Sequence, residues 1–169
     1  VGQLINAANF FIAKLSKESE TLTFVYYSDQ NSEDLTIDFQ PRKLGNGYTE
    51  LVIEVGKTLL LNNDDILRLH KEGKTHAPQK NTYSWLGVPL IHNGEILGAM
   101  VIQSYRNDVS YNQQDAELLN FVAQHVAIAI KRRETQDFER KAHDLLEQQV
   151  QIRTAALEEE IKQRRQVEE

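Results

Sequence analysis

The side chains with chemistry to offer are few and scattered. The chain has five histidines and no cysteine. The missing thiol excludes disulfides, Cys-ligated zinc, a thiol nucleophile and thioether attachment of a cofactor. His70 and His76 follow Asp64 and Asp65, so a metal site is the first chemistry to weigh. Their spacing fits no strong ligand pattern, and Asn62-Asn63-Asp64-Asp65 supplies N-caps for a helix through Glu72 that Gly73 ends. Gly45-Asn46-Gly47 suggests a phosphate cradle. Glu50 stands where a third glycine belongs, and no clear strand directly precedes the run, so helix entry explains it. His92 falls at a turn, His125 in an apolar helix and His143 on a charged one. No nucleophile–base pair and no metal constellation emerges, so no catalysis and no bound metal or cofactor is expected within these residues.

The elements that must position any site can be read from periodicity. A chain of 169 residues with a formal net charge of −6 fits one domain plus an appendage, and the acidic balance argues against a nucleic-acid footprint. No apolar run reaches membrane-spanning length, so no membrane contact is expected here. Gly2 to Ala8 reads as the last turns of a helix, and the chain as part of a longer protein. Phe10–Leu15 and Leu22–Tyr27 read as strands, and Thr49–Val55 as a helix that Gly56 ends. Thr58–Leu61 reads as a short strand. From Ser84 to Tyr105 two strand-forming runs flank Asn93-Gly94, the strongest hairpin signal. Pairing the arms without interruption sets Ile91 against Ile96, Leu90 against Leu97 and Val88 against Ala99. One face then carries Trp85, Gly87, Pro89, Met100 and Ile102. The other carries Leu86, Val88, Leu90, Val101 and Gln103. Both are apolar, so both must be covered.

The last element differs in kind. Asn112 can cap a helix with Asp115 in reciprocal contact, and no Gly or Pro follows before Glu169. A helix of this length would extend about 85 Å at 1.5 Å per residue. Leu118, Leu119, Phe121, Val122, Val126, Ile128 and Ile130 suit packing on a core. Beyond Lys131 apolar residues thin to Leu146, Val150, Leu157 and Ile161, with Phe138, Leu145 and Ile152 as a neighbouring row. So polar a helix needs a second copy, as a coiled coil. The expected division is a domain at 1–130 and a coiled-coil helix at 131–169.

With these elements in place the chain resembles a GAF domain followed by a signalling-helix coiled coil. The matching residues are Gly45-Asn-Gly47 into Tyr48–Lys57, then Leu59-Leu-Leu61, Trp85-Leu-Gly-Val-Pro-Leu90, Gly94-Glu-Ile-Leu-Gly98, Tyr111-Asn-Gln-Gln-Asp115 and Glu117-Leu-Leu119. They occur in family order and span Phe10 to Arg133. The segment from Leu146 to Glu169 resembles linkers that join bacterial sensor domains to PAS, histidine-kinase or GGDEF-type cyclase domains.

The resemblance implies an α+β fold, with a five-stranded antiparallel sheet of order 2-1-5-4-3, helices on one face and a small-molecule pocket over the other. It places Tyr27, Asn62, Asn63, Asp64, Leu86, Val101 and Gln103 around that pocket, with Gly87 and Gly98 allowing the long helix to approach. It implies a cytoplasmic sensory module that binds an unknown small ligand and relays its state, through a homodimer made by the C-terminal helix, to a diguanylate cyclase or histidine kinase in cis. The alternative is a scaffold that only dimerises the effector. The family's cyclic-nucleotide signature is not matched, since Ser104-Tyr105, Tyr111 and Asp115-Ala116 occupy its places. Bilin attachment and the sulfoxide-reductase chemistry of some GAF proteins need cysteine. The phrase around His143 lacks the features of a phosphoacceptor histidine box.

Overall fold

A computed structural model describes residues 9–29, 39–76 and 82–167. In chain order the elements are β1 (Asn9–Ser16), β2 (Thr21–Ser28), β3 (Arg42–Lys43), α1 (Tyr48–Val55), β4 (Leu59–Asn62), α2 (Asn63–Lys71), β5 (Ser84–His92), β6 (Glu95–Ser104) and α3 (Gln113–Val167). The chain divides into two compact units, Val1–Ile128 and Ala129–Glu169. Among the described residues no helix is long and apolar enough to cross a membrane.

The strands form one antiparallel sheet of order β3-β2-β1-β6-β5-β4. The expected five-stranded sheet of order 2-1-5-4-3 is therefore corrected to six strands. The addition is β3, two exposed residues that pair Lys43 with Thr21 and Arg42 with Leu22 at the edge beyond β2. Two residues carry no alternation, so periodicity cannot reveal such a strand. The loop after it is tied to α1 by Glu50, whose Oε1 accepts from Arg42 Nη1 at 2.6 Å and from the Gly45 N–H at 3.0 Å.

Burial pushes the Glu50 carboxyl up, but the Arg42 hydrogen bond, the Gly45 N–H and the Arg42 charge outweigh it and hold the group below its ordinary value. A depressed folded-state pKa means that the folded chain binds fewer protons there than the unfolded one. The stabilisation is present above the unfolded value and is lost as pH falls through the folded one. Glu50→Gln is expected to cost roughly 1–2 kcal/mol near neutral pH, the range of a charged hydrogen bond discounted for the half-exposed Arg42. Urea unfolding repeated at about pH 3, below the glutamate range, should show the gap closing. A gap that persists there would mean that Glu50 acts by packing.

The β5–β6 hairpin turns at Asn93 and Gly94 with φ of 48° and 78°, the two positive values a type I′ turn requires. Ile91 pairs with Ile96 as expected. A bulge then intervenes: Leu90 pairs with Gly98, Pro89 with Ala99 and Val88 with Met100. Gly98 has φ 153°, and a Cβ there would lie 2.0 Å from the Ala13 carbonyl oxygen of β1. One extra residue in β6 flips every later side chain to the other face. Trp85, Gly87 and Pro89 thus share a face with Ala99, Val101 and Gln103, while Leu86, Val88 and Leu90 share the other with Met100 and Ile102. The uninterrupted pairing is overturned, and Leu86 leaves the face of Val101 and Gln103. The glycines are also reassigned. Gly98 makes room for β1, and Gly87 lies under the Trp85 indole, whose ring atoms would be 2.3 Å from a Cβ.

The first face packs under α1 and α2. Its core joins Phe11, Ala13, Leu22, Tyr48, Val52, Leu61, Ile66, Trp85, Ala99 and Val101. The second face is equally dry, with Leu86, Val88, Leu90, Met100 and Ile102 fully buried. Among the described elements, the start of α3 is left to cover it. Asn112 caps this helix through its Oδ1, which accepts from the Gln114 and Asp115 N–H groups at 2.8 and 3.3 Å. The Asp115 carboxylate accepts from the Asn112 N–H at 2.9 Å, which completes the expected reciprocal contact. The buried stripe of α3 is Ala116, Leu119, Ala123 and Ala127, spaced by three or four. Leu119 is buried as expected, but the expectation is corrected for Phe121 and Ile128, which are 59% and 53% exposed. A helix can turn only one stripe inward, and here Leu119 and three alanines take it.

Candidate functional site

The α1/α2 face of the sheet carries two rows of side chains. Pairing sets Tyr27 beside Phe11, Phe11 beside Val101, and Val101 beside Gly87. The next row sets Asn9 beside Gln103, Gln103 beside Trp85, and Trp85 beside Leu61. Phe11 stacks on Tyr27 with centroids 5.9 Å apart, and Phe24 meets Tyr27 edge-on at 5.7 Å.

Within this apolar layer lies a polar cluster. Asp29 is 6% exposed. Its Oδ2 accepts from Tyr27 Oη at 3.1 Å and from Tyr105 Oη at 3.0 Å. Gln103 Nε2 donates to Tyr105 Oη at 2.8 Å, and Asn9 Nδ2 donates to the Gln103 backbone carbonyl at 3.1 Å. Burial pushes the Tyr27 phenol up to about 12, reinforced by the charge and hydrogen bond of Asp29 and partly opposed by Tyr105. Burial raises Tyr105 as well, with the Asp29 hydrogen bond and charge adding to it. Both phenols stay protonated at neutral pH and keep donating to the carboxylate.

A second polar feature sits by Trp85. The Tyr48 ring tilts against the indole at 5.5 Å. The Tyr48 hydroxyl and the Thr75 hydroxyl are both buried. Burial pushes the Tyr48 phenol up, and the Thr75 hydroxyl opposes this by hydrogen bonding. The two hydroxyls lie close enough to interact with each other. The backbone holds Thr75 in place, since the His76 N–H donates to the Asn46 carbonyl at 2.8 Å.

Of the seven residues expected at the site, Tyr27, Val101 and Gln103 come together on this face, and Tyr27 and Gln103 join the cluster. Leu86 lies on the opposite face, under α3; the side chain beside Gln103 is Trp85. Asn62, Asn63 and Asp64 are exposed at the start of α2. Asn62 is its N-cap, in a capping box where Oδ1 accepts from the Asp65 N–H at 2.9 Å. Asp65 also pairs with Arg68 at 2.6 Å. Among the described residues no group of three or more His, Asp or Glu side chains converges as a metal site. Sequence reasoning missed Asp29, Tyr105, Asn9, Tyr48 and Thr75. The period of two carries part of the signal, since Tyr27 and Asp29, like Gln103 and Tyr105, are two residues apart at strand ends.

An antiparallel sheet with short helices over one face, a long terminal helix against the other and a buried polar cluster in the first layer defines an α+β domain of the GAF type. The GAF domain family profile matches residues 1–131, and the chain belongs to this family. Compared by sequence with curated proteins, the chain matches none.

Solved structures agree on the fold. The GAF domain of a phosphoenolpyruvate-protein phosphotransferase from Acinetobacter superposes with a TM-score of 0.64 at 16% identity, over 79% of this chain and 77% of that one. The GAF domain of a two-component sensor histidine kinase from Bacillus halodurans gives 0.57 at 17% identity, over 76% and 84%. A type II free methionine-R-sulfoxide reductase from Thermoplasma acidophilum gives 0.56 at 16% identity, over 74% and 80%. At these identities the likeness is one of fold.

Proposed function

We propose that this GAF domain is a sensory module of a signalling protein. A small molecule held on the α1/α2 face favours one arrangement of a parallel homodimer. The second part of α3 carries that preference to an effector domain in cis, of diguanylate cyclase or histidine kinase type, in the cytoplasm. Residues 1–130 sense and residues 131–169 relay.

The observation that carries this reading is the apolar surface of α3 beyond Ile128. Phe138, Leu145, Leu146, Val150, Ile152, Leu157 and Ile161 are between 51% and 74% exposed in the single chain. A helix of this kind gains most of its stability from packing, and a second copy supplies it. The likeness to a domain from a two-component sensor histidine kinase supports an effector in cis. Sensing is favoured over a scaffold by the polar groups of the α1/α2 layer, because a face that only packs needs no buried cluster such as Asp29, Tyr27, Tyr105 and Gln103.

On this reading Tyr27, Gln103 and Val101 form the ligand floor with Trp85 in the place expected of Leu86. Asn62, Asn63 and Asp64 contribute from the start of α2. No catalysis and no resident cofactor are proposed. The fold likeness to a sulfoxide reductase suggests no reaction, because chemistry of that kind uses cysteine and this chain has none.

The test is sedimentation equilibrium of the 169-residue chain through the micromolar range. A dimer is expected. Phe138→Ser, Leu145→Ser and Ile152→Ser together should weaken it by at least roughly a hundredfold, since each removes apolar area worth about 1 kcal/mol or more at the seam. A wild-type chain that stays monomeric throughout overturns the dimeric relay.

A further inference from the structure

We propose that the dimer seam begins on the sensory domain itself: the outer face of α3 around Phe121 and Ile128 docks against the same face of a second copy of this chain. This rests on the parallel dimer proposed above and extends its interface back into the domain. The face is set by the helix period. Leu119, Ala123 and Ala127 turn inward. Phe121 lies two residues from both Leu119 and Ala123, so at about 100° per residue it points away from them. Ile128 comes seven residues after Phe121, about two turns on, and shares its side. Both are large, apolar and more than half exposed.

The occupant follows from sequence phase along α3, one helix from Gln113 to Val167. With Phe121 and Ile128 at heptad position a, Phe138, Leu145 and Ile152 all fall at d, and Ala142 falls at a between them. The steps of three and four do not slip from Phe121 to Ala156. The charged residue in this row is Lys131, and Glu134 stands 3.6 Å from its Nζ. The row of Leu146, Val150 and Leu157 does not extend back in this way. Stepping back from Leu146 by three and four meets His143, Glu139, Gln136 and Arg132. An apolar row that keeps one phase from the domain into the relay helix suits a parallel second copy, which presents the same residues at the same height. A partner of the domain alone would give no reason for that shared phase.

Phe121 is held ready for this contact. Its ring tilts against the His125 imidazole with centroids 4.7 Å apart, and His125 Nδ1 lies 2.9 Å from the Phe121 carbonyl oxygen. An aromatic side chain ordered before docking loses little conformational freedom on binding, and aromatic anchors carry much of an interface's energy. The consequence is mechanical. The same turns of α3 that bury Leu119 and Ala123 inside the domain present Phe121 to the partner. A displacement within the domain therefore reaches the seam through one helix.

The chain has no cysteine, so single substitutions report the seam without background. A disulfide needs Cα atoms roughly 4.4–6.8 Å apart, a separation that like residues approach at a and d of a parallel pair and not at outward positions. Phe121→Cys, Ile128→Cys, Leu145→Cys and Glu147→Cys are made in the 169-residue chain, and cross-linked dimer is followed under mild oxidation. All four positions are exposed, so the fold is expected to survive. The first three should cross-link at least roughly tenfold faster than Glu147→Cys, which falls at the outward position f. Phe121→Ser and Ile128→Ser together should weaken the dimer at least roughly tenfold by sedimentation equilibrium. Cross-linking at Leu145→Cys but at neither Phe121→Cys nor Ile128→Cys overturns the domain seam and leaves the relay dimer standing. A dimer constant unchanged by the two serines also overturns it, and would give this face to another partner. If Leu145→Cys fails to cross-link as well, the seam falls, and the relay dimer falls with it only if the wild-type chain sediments as a monomer.

Discussion

Gly98→Ala is expected to destabilise the domain by roughly 3 kcal/mol or more, enough to leave a marginally stable domain partly unfolded at ambient temperature. The added Cβ would sit 2.0 Å from the Ala13 carbonyl oxygen and 3.0 Å from both the Ala13 carbonyl carbon and the Lys14 Cα. All three are backbone atoms of β1, a strand paired on both sides by β2 and β6. A flexible side chain could swing away, but a strand held in two ladders cannot move without breaking hydrogen bonds. The φ of 153° adds strain for any L-residue.

Gly94→Ala is the control. Its φ of 78° is also positive, yet nothing lies within 4 Å of a Cβ there. It should cost about 1–2 kcal/mol, the conformational term alone. Urea midpoints of the two variants separate the terms. If Gly98→Ala loses no more than Gly94→Ala, the bulge relaxes and the face assignment of β6 loses its support.

The second large effect belongs to the proposed relay and is read in the full-length protein. Inserting seven residues near Gln148 should preserve the effector's output and its ligand response. Inserting three or four should lock output on or off. A coiled-coil seam meets its partner every 3.5 residues, so seven residues restore the phase and lengthen the rod by about 10 Å. Three or four residues overwind or unwind the supercoil locally. The motivating feature is α3 itself, one helix from Gln113 to Val167 whose buried stripe ends at Ala127 and whose exposed apolar row continues to Ile161. The effector's product is assayed in wild type and the three insertions. Equal responses from all four would make the helix a passive tether.

Much of the fold was legible because its signals are local. The Asn93-Gly94 turn, the glycine after Val55, the cap at Asn112 and the uninterrupted final helix depend on residues within a few positions of one another. The candidate site was legible in part. Tyr27 and Gln103 were reached through resemblance, and period-two spacing could have added Asp29 and Tyr105. That these two belong together could not be read locally, since 76 positions separate them and the bond forms only when β6 lies beside β1.

By itself the sequence determined the hairpin turn, the helix boundaries, the absence of thiol chemistry and the dryness of both sheet faces. Only the tertiary structure decided which residues share a face. One close approach, the Ala13 carbonyl against Gly98, favours a bulge over an unbroken ladder. Because side chains alternate with a period of two, that single extra residue moves Trp85 to the face of Gln103 and Leu86 away from it. A contact between strands 85 positions apart in the chain leaves no mark on local periodicity, so it had to come from the packed sheet.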